Sequence, residues 1–148
     1  MKQHIGVEQL SELTDAQREK LREWWKPSLH DLFMCGENAS PLTVRKTTYE
    51  GSKIYCGVQD VPLRFYIQSK LTHEDYCLDK KDTYRYKSQC LPILSIGQCI
   101  ELIGSKLSDI DYDIFINNYY VRVMDKGTYG NCELIDALWR AVKEVLQD

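Results

Sequence analysis

NCELIDALWRAVKEVL, residues Asn131–Leu146, is the stretch that decides the fold. Leu134, Ile135, Leu138, Trp139, Val142, Val145 and Leu146 recur at the i, i+3, i+4, i+7, i+8 spacing of a wide amphipathic helix. Ala137 and Ala141 widen the stripe and let a neighbour approach closely. Asn131 is placed to cap the first turn, with Glu133 and Asp136 in the electropositive first turns. Asp136, Arg140 and Glu144 form an i, i+4 ladder on the outer face. Such a helix is a core element, and it carries no chemistry of its own.

Upstream of it the pattern changes period. Tyr112–Ile116 and Tyr119–Val123 flank Asn117-Asn118, a pair that accepts the positive φ of a type I′ turn. A two-residue turn there pairs Ile116 with Tyr119, Ile114 with Val121 and Tyr112 with Val123, and puts all six on one face. Phe115, Tyr120 and Arg122 then share the outer face. Lys126–Gly130 reads as the turn into the final helix. Before the hairpin, Ser95–Leu107 is a second helix. Ser95 and Gln98 form its capping box, and Leu94 staples onto Cys99. Ile96, Cys99, Ile100, Ile103 and Leu107 are its apolar stripe. At the N-terminal end, Thr14–Lys26 is a third helix, with a Thr14/Gln17 capping box and Pro27 closing it. It is mostly charged. Ala16, Leu21, Trp24 and Trp25 are its burial candidates, and the tryptophan pair also offers an aromatic contact surface.

Between these elements lie β-rich runs. Leu29–Cys35 is a short strand; Leu42–Tyr49 and Ser52–Val58 form a hairpin around Glu50-Gly51; Leu63–Ile67 is a further strand behind Pro62. The pattern predicts an α+β protein: an antiparallel sheet built from hairpins, packed against two amphipathic helices, with an N-terminal helix. One domain of 148 residues is expected, with an N-terminal helical segment 1–35, a β-rich segment 36–90 with a long loop, and a helix–hairpin–helix segment 91–148.

Charge excludes more than it indicates. The formal net charge is −3. Residues 40–90 carry 9 basic and 6 acidic side chains, and residues 91–148 carry 5 and 9. Neither imbalance amounts to the basic stripe of a nucleic-acid-binding face. No apolar run reaches about 18 residues, so no membrane span is expected. The opening MKQHIGVEQLSEL lacks the apolar core of a signal peptide, which points to the cytosol. The six cysteines are then expected to be reduced, and no CxxC occurs among them. Cys99 and Cys132 read as small buried hydrophobes.

No GxSxG, Walker loop, GxGxxG or HExxH is present, so a non-catalytic protein without a cofactor is expected. The candidate binding segment is Ser69–Gln89, long and without apolar periodicity. Lys80, Lys81, Arg85 and Lys87 supply attraction for an anion, and Tyr84 and Tyr86 supply stacking area. The alternative is a cysteine-dependent protein or a zinc site using the Cys and His of the same segment. His73-x3-Cys77 and Cys90 would be its ligands, completed by Cys35 or Cys56.

REWWKP…DLF at Arg22–Phe33, LPILSIGQCIELI at Leu91–Ile103 and ELIDALWRAVKEVL at Glu133–Leu146 resemble small uncharacterised proteins of phages and prophages of Gram-positive bacteria. The resemblance covers the two ends of the chain, and residues 36–90 lie outside it. It implies an accessory phage protein in the bacterial cytosol and supplies no catalytic residues. Its partner would be a host protein or a small anionic signalling molecule, with host defence as the process countered. A structural or regulatory phage protein without a ligand is the third reading, and self-association stays open in all three.

Overall fold

In the computed structural model the described residues are 1–36, 41–47, 53–58 and 84–148. The chain is mixed α+β, and the described strands form two antiparallel sheets. By its contacts it divides into two compact units. One comprises Met1–Trp24 and Ile93–Asp148, the other Trp25–Pro92.

The first unit holds the decisive helix. Its described elements are α1 (Val7–Leu10), α2 (Asp15–Trp24), α3 (Ile96–Ile103), β6 (Leu107–Asp113), β7 (Asn118–Val123), β8 (Gly127–Asn131) and α4 (Leu134–Gln147). The wide apolar stripe of α4 buries Ile135, Ala137, Leu138, Trp139, Ala141, Val142 and Leu146. It lies against β7 and β8 on one side and against α3 and α2 on others. From β7 come the buried Val121 and Val123, and from α3 the buried Cys99 and Ile103. The expected capping boxes are formed. The Gln17 N–H donates to Thr14 Oγ1 at 3.2 Å and the Thr14 N–H to Gln17 Oε1 at 2.9 Å. The Gln98 N–H donates to Ser95 Oγ at 3.2 Å and the Ser95 N–H to Gln98 Oε1 at 3.0 Å. Gln17 is itself buried, and its Nε2 donates to the carbonyl of Lys143 at 3.0 Å, which ties α2 to α4. Gly104, at φ +59°, ends α3 where a side chain would be strained.

Four local expectations are corrected. The helix of Ser95 stops at Ile103 rather than Leu107, because Leu107 opens β6. Asn131 does not cap α4. It closes β8, its Oδ1 accepts from the Glu133 N–H at 3.1 Å, and the helix begins at Leu134. The segment expected to be a turn into that helix is the strand β8, paired along its length with β7 from Val123↔Gly127 to Tyr119↔Asn131. Ala16 is exposed, and the buried residues of α2 are Gln17 and Leu21.

The hairpin is the largest correction. β6 and β7 pair with Tyr112 opposite Tyr119, Ile110 opposite Val121 and Leu107 opposite Val123, with a bulge between Leu107 and Asp109. Tyr112 was expected opposite Val123. The connection is therefore Ile114–Asn117, not Asn117-Asn118. Asn117 alone takes the left-handed conformation, at φ +52°, while Asn118 belongs to the strand.

The second unit contains β1 (Leu32–Cys35), β2 (Leu42–Thr47), β3 (Lys53–Val58), β4 (Tyr84–Tyr86) and β5 (Cys90–Pro92), in the order β4-β3-β2-β1-β5. β2 and β3 pair antiparallel, with Thr47 opposite Ile54. Glu50-Gly51 was expected to turn the chain between them. That turn, and the expected strand Leu63–Ile67, lie outside the described residues. Phe33, Val44, Ile54 and Trp25 are buried, and the Trp25 and Phe33 rings lie 5.8 Å apart. Asp31 organises the entry to β1. Its Oδ2 accepts from Trp25 Nε1 and from the Ser28 N–H, each at 3.0 Å.

Candidate functional site

The structure describes only part of the segment expected to bind. Lys80 and Lys81 lie outside the described residues. The segment's end is not a loop: Tyr84–Tyr86 is a strand paired with β3, with Tyr84 opposite Tyr55 and Arg85 opposite Ile54. Arg85 is half-buried, Tyr86 is exposed, and Lys87 opens a short 3-10 turn leading to β5.

Of the alternative zinc ligands, His73 and Cys77 lie outside the described residues. Cys90 is fully buried and sits opposite Cys35 in the β1–β5 register. Burial, with the Cys35 side chain beside it, pushes the Cys90 thiol far above the ordinary range. Its Sγ–H donates to the Tyr86 carbonyl at 3.2 Å. Among the described residues no three His, Cys, Asp or Glu side chains are grouped to hold a metal ion. Cys99, buried in the first unit, has its thiol pushed up to about 12 by burial alone, consistent with a small core hydrophobe. Cys132, expected to be buried, is exposed because it precedes the true start of α4.

A polar groove of about 340 Å³ runs beside α4, lined by Lys2, Glu12, Asp136, Trp139, Arg140 and Lys143 among others. Its charges are largely matched internally. Lys2 Nζ lies 3.2 Å from Asp136 Oδ1, Lys143 pairs with Glu12, and Arg140 Nη1 donates to the Gly130 carbonyl at 3.0 Å. The cations are already engaged, so the groove offers an anion little uncompensated charge.

The feature that stands apart is the end of the β6–β7 hairpin. Phe115 is 95% exposed, Ile114 75% and Ile116 61%, and Ile110 and Tyr112 on β6 are exposed as well. These are five large apolar side chains at one end of one hairpin. Its connection is tied down from several sides. Asp113 Oδ1 accepts from the Phe115 N–H at 2.9 Å, and the Tyr112 hydroxyl hydrogen-bonds to Asn117 Oδ1. The Tyr112 and Tyr119 rings meet at 4.7 Å, and Arg122 Nη1 lies 2.9 Å from Asp109 Oδ2. The exposed side chains are thus presented from a fixed backbone. Because α4 packs along β7 and β8, its cover leaves Ile110 and Tyr112 exposed on the sheet's edge strand.

Sequence reasoning placed Phe115 on an outer face but put Ile114 and Ile116 in strands, on the face of Val121 and Val123. The signal was the run Ile114-Phe115-Ile116 itself. Three successive apolar residues break the alternation of a half-buried strand, and Asp113 just before them is an Asx-turn former. Comparison with family models, with curated proteins and with solved structures gives no match.

Proposed function

We propose that the protein is a non-catalytic binding protein that engages a protein partner through the Ile110–Asn117 end of its hairpin. The observation that supports this reading is the exposure of Ile114, Phe115 and Ile116 together on a hydrogen-bonded connection. Single exposed apolar residues are ordinary, whereas a contiguous apolar patch marks an interaction surface. Covering each of these side chains contributes roughly 1.5–3 kcal/mol. An aromatic at the centre of such a patch is the usual anchor of a protein interface. The resemblance to phage accessory proteins supports a bacterial host protein as the partner and a role in countering host defence. No helix among the described residues is long and apolar enough to cross a membrane.

The test is retention of host proteins on the immobilised protein, comparing the natural chain with Phe115→Ser and with Ile114→Ser/Ile116→Ser. The expected result is a retained protein that both variants lose while their melting temperatures stay unchanged. Retention of the same proteins by all three would place the contact elsewhere.

A further inference from the structure

β6 is an edge strand. The first unit's sheet runs β6-β7-β8, and among the described residues no strand pairs with the outer side of β6. Ser108–Tyr112 are all exposed. The outer edge of these seven residues, about 24 Å long, presents a row of backbone N–H and C=O groups, the Tyr112 N–H excepted because Asp111 takes it. The two faces of that edge differ sharply. Ile110 and Tyr112 occupy one face; Asp109, Asp111 and Asp113 occupy the other, opposite Arg122, Tyr120 and Asn118 of β7. Arg122 engages Asp109. Asp111 and Asp113 each use one carboxylate oxygen on a nearby backbone N–H, of Tyr112 at 2.8 Å and of Phe115 at 2.9 Å. Among the described residues neither has a cationic partner.

We infer that β6 takes up an extended segment of a partner protein as a fourth strand, and that this segment alternates basic with apolar residues. The inference rests on the reading of the hairpin end as the docking surface, and adds the chemistry of what docks. Directly opposed side chains of antiparallel strands lie on the same face, about 4.5–5.5 Å apart. Lysine or arginine at alternate positions therefore meets Asp111 and Asp113. The intervening apolar residues lie beside Ile110 and Tyr112 and run on toward Ile114 and Phe115. Backbone hydrogen bonds supply the adhesion, and the alternation supplies the selectivity. A second copy of this chain is the wrong occupant. In an antiparallel self-pairing that matches the faces, aspartates of one copy oppose aspartates of the other. In the remaining registers aspartate opposes Ile110 or Tyr112.

The test uses three peptides of about nine residues: lysine alternating with valine, glutamate alternating with valine, and the lysine–valine composition rearranged into two blocks. Affinity is measured by fluorescence anisotropy and the site by amide hydrogen exchange. The alternating basic peptide is expected to bind about tenfold tighter than either control, to weaken as salt rises, and to protect amides of β6. Asp111→Lys/Asp113→Lys is expected to reverse the preference toward the glutamate peptide. Equal binding of the blocked peptide, protection that falls elsewhere, or a preference that survives the charge reversal overturns the inference. If the double variant does not fold, exchange on the natural chain still decides, since protection must map to β6. The host-protein retention experiment is separate. Loss of retention on Phe115→Ser with no peptide selectivity sinks strand addition alone. Retention unaffected by Phe115→Ser removes the docking surface beneath it.

Discussion

Asn117 holds a left-handed backbone, at φ +52°, at the end of the connection between β6 and β7. A non-glycine residue there costs roughly 1–2 kcal/mol, less for asparagine, whose side chain bonds locally. Asn117→Gly should therefore change stability little, the relief of strain offsetting the lost hydrogen bond from Tyr112. Asn117→Val should destabilise by about 1–2 kcal/mol, because a β-branched residue has no local compensation. Urea unfolding of the two variants checks this; equal losses would mean the Tyr112 contact outweighs the backbone. Trp139, 1% exposed, is the largest buried side chain of α4, and Trp139→Ala should cost roughly 3–5 kcal/mol. Among the described residues its buried Nε1–H has no hydrogen-bond partner, so Trp139→Phe, which removes that orphan along with part of the ring, should cost distinctly less. An equal cost for both variants would show that the indole's volume governs the site.

At the scale of elements, the hairpin shows how far sequence reading reaches. The observed register and the expected one differ by four residues. Because the side-chain period is two, a slip of even length leaves every residue on its face. The charges do not break the tie either. Arg122 faces Asp109 in the structure and would face Asp113 in the other register. The observed register pairs Leu107 with Val123 and leaves Asp113 to hold the Phe115 N–H, which the shorter turn would forfeit. A double-mutant cycle should find Arg122 coupled to Asp109 by about 0.2–1 kcal/mol and not to Asp113. Coupling to Asp113 instead would support the two-residue turn. The helices were legible because their signals are local: the caps at Thr14 and Ser95 and the stripe of α4 depend on residues three or four apart. β8 was not. Gly127-Thr128-Tyr129-Gly130-Asn131 has the composition of a turn and becomes a strand only because β7 lies beside it. Gly130 suits that place, since a Cβ there would stand 3.0 Å from the Tyr120 ring.

Over the whole molecule, the candidate surface was the least legible feature. Exposure is set by what packs where, and only the observed register takes Ile114 and Ile116 out of the paired strands and into the connection. The strand β4 was hidden for a related reason, since Tyr84–Tyr86 reads as polar loop until β3 is there to pair with it. One long-range device can be tested by pH. Lys106, just before β6, and Lys126, in the β7–β8 turn, both pair with Asp148 and hold its carboxyl down to about 2. A carboxyl whose pKa is lower folded than unfolded stabilises above its unfolded value, near 3.8, and loses that contribution as pH falls toward 2. The natural chain should therefore melt higher than Asp148→Asn at pH 6, with the gap closing between about pH 4 and pH 2. A gap that persists at pH 2 would assign the effect to something other than these ion pairs.

The division of the first unit into Met1–Trp24 and Ile93–Asp148 has a consequence for synthesis on the ribosome. Met1–Trp24 is made well before its completing partners, which lie beyond Pro92. The Ile5 N–H awaits the Leu94 carbonyl, and the Gln17 amide awaits Lys143. Until α4 leaves the exit tunnel, Leu10, Leu13 and Leu21 have no core to enter. The nascent chain must carry them through the translation of the whole intervening segment. A stalled chain ending before Ile93 should accordingly be cut readily within α2, with protection arising only once Leu146 has emerged.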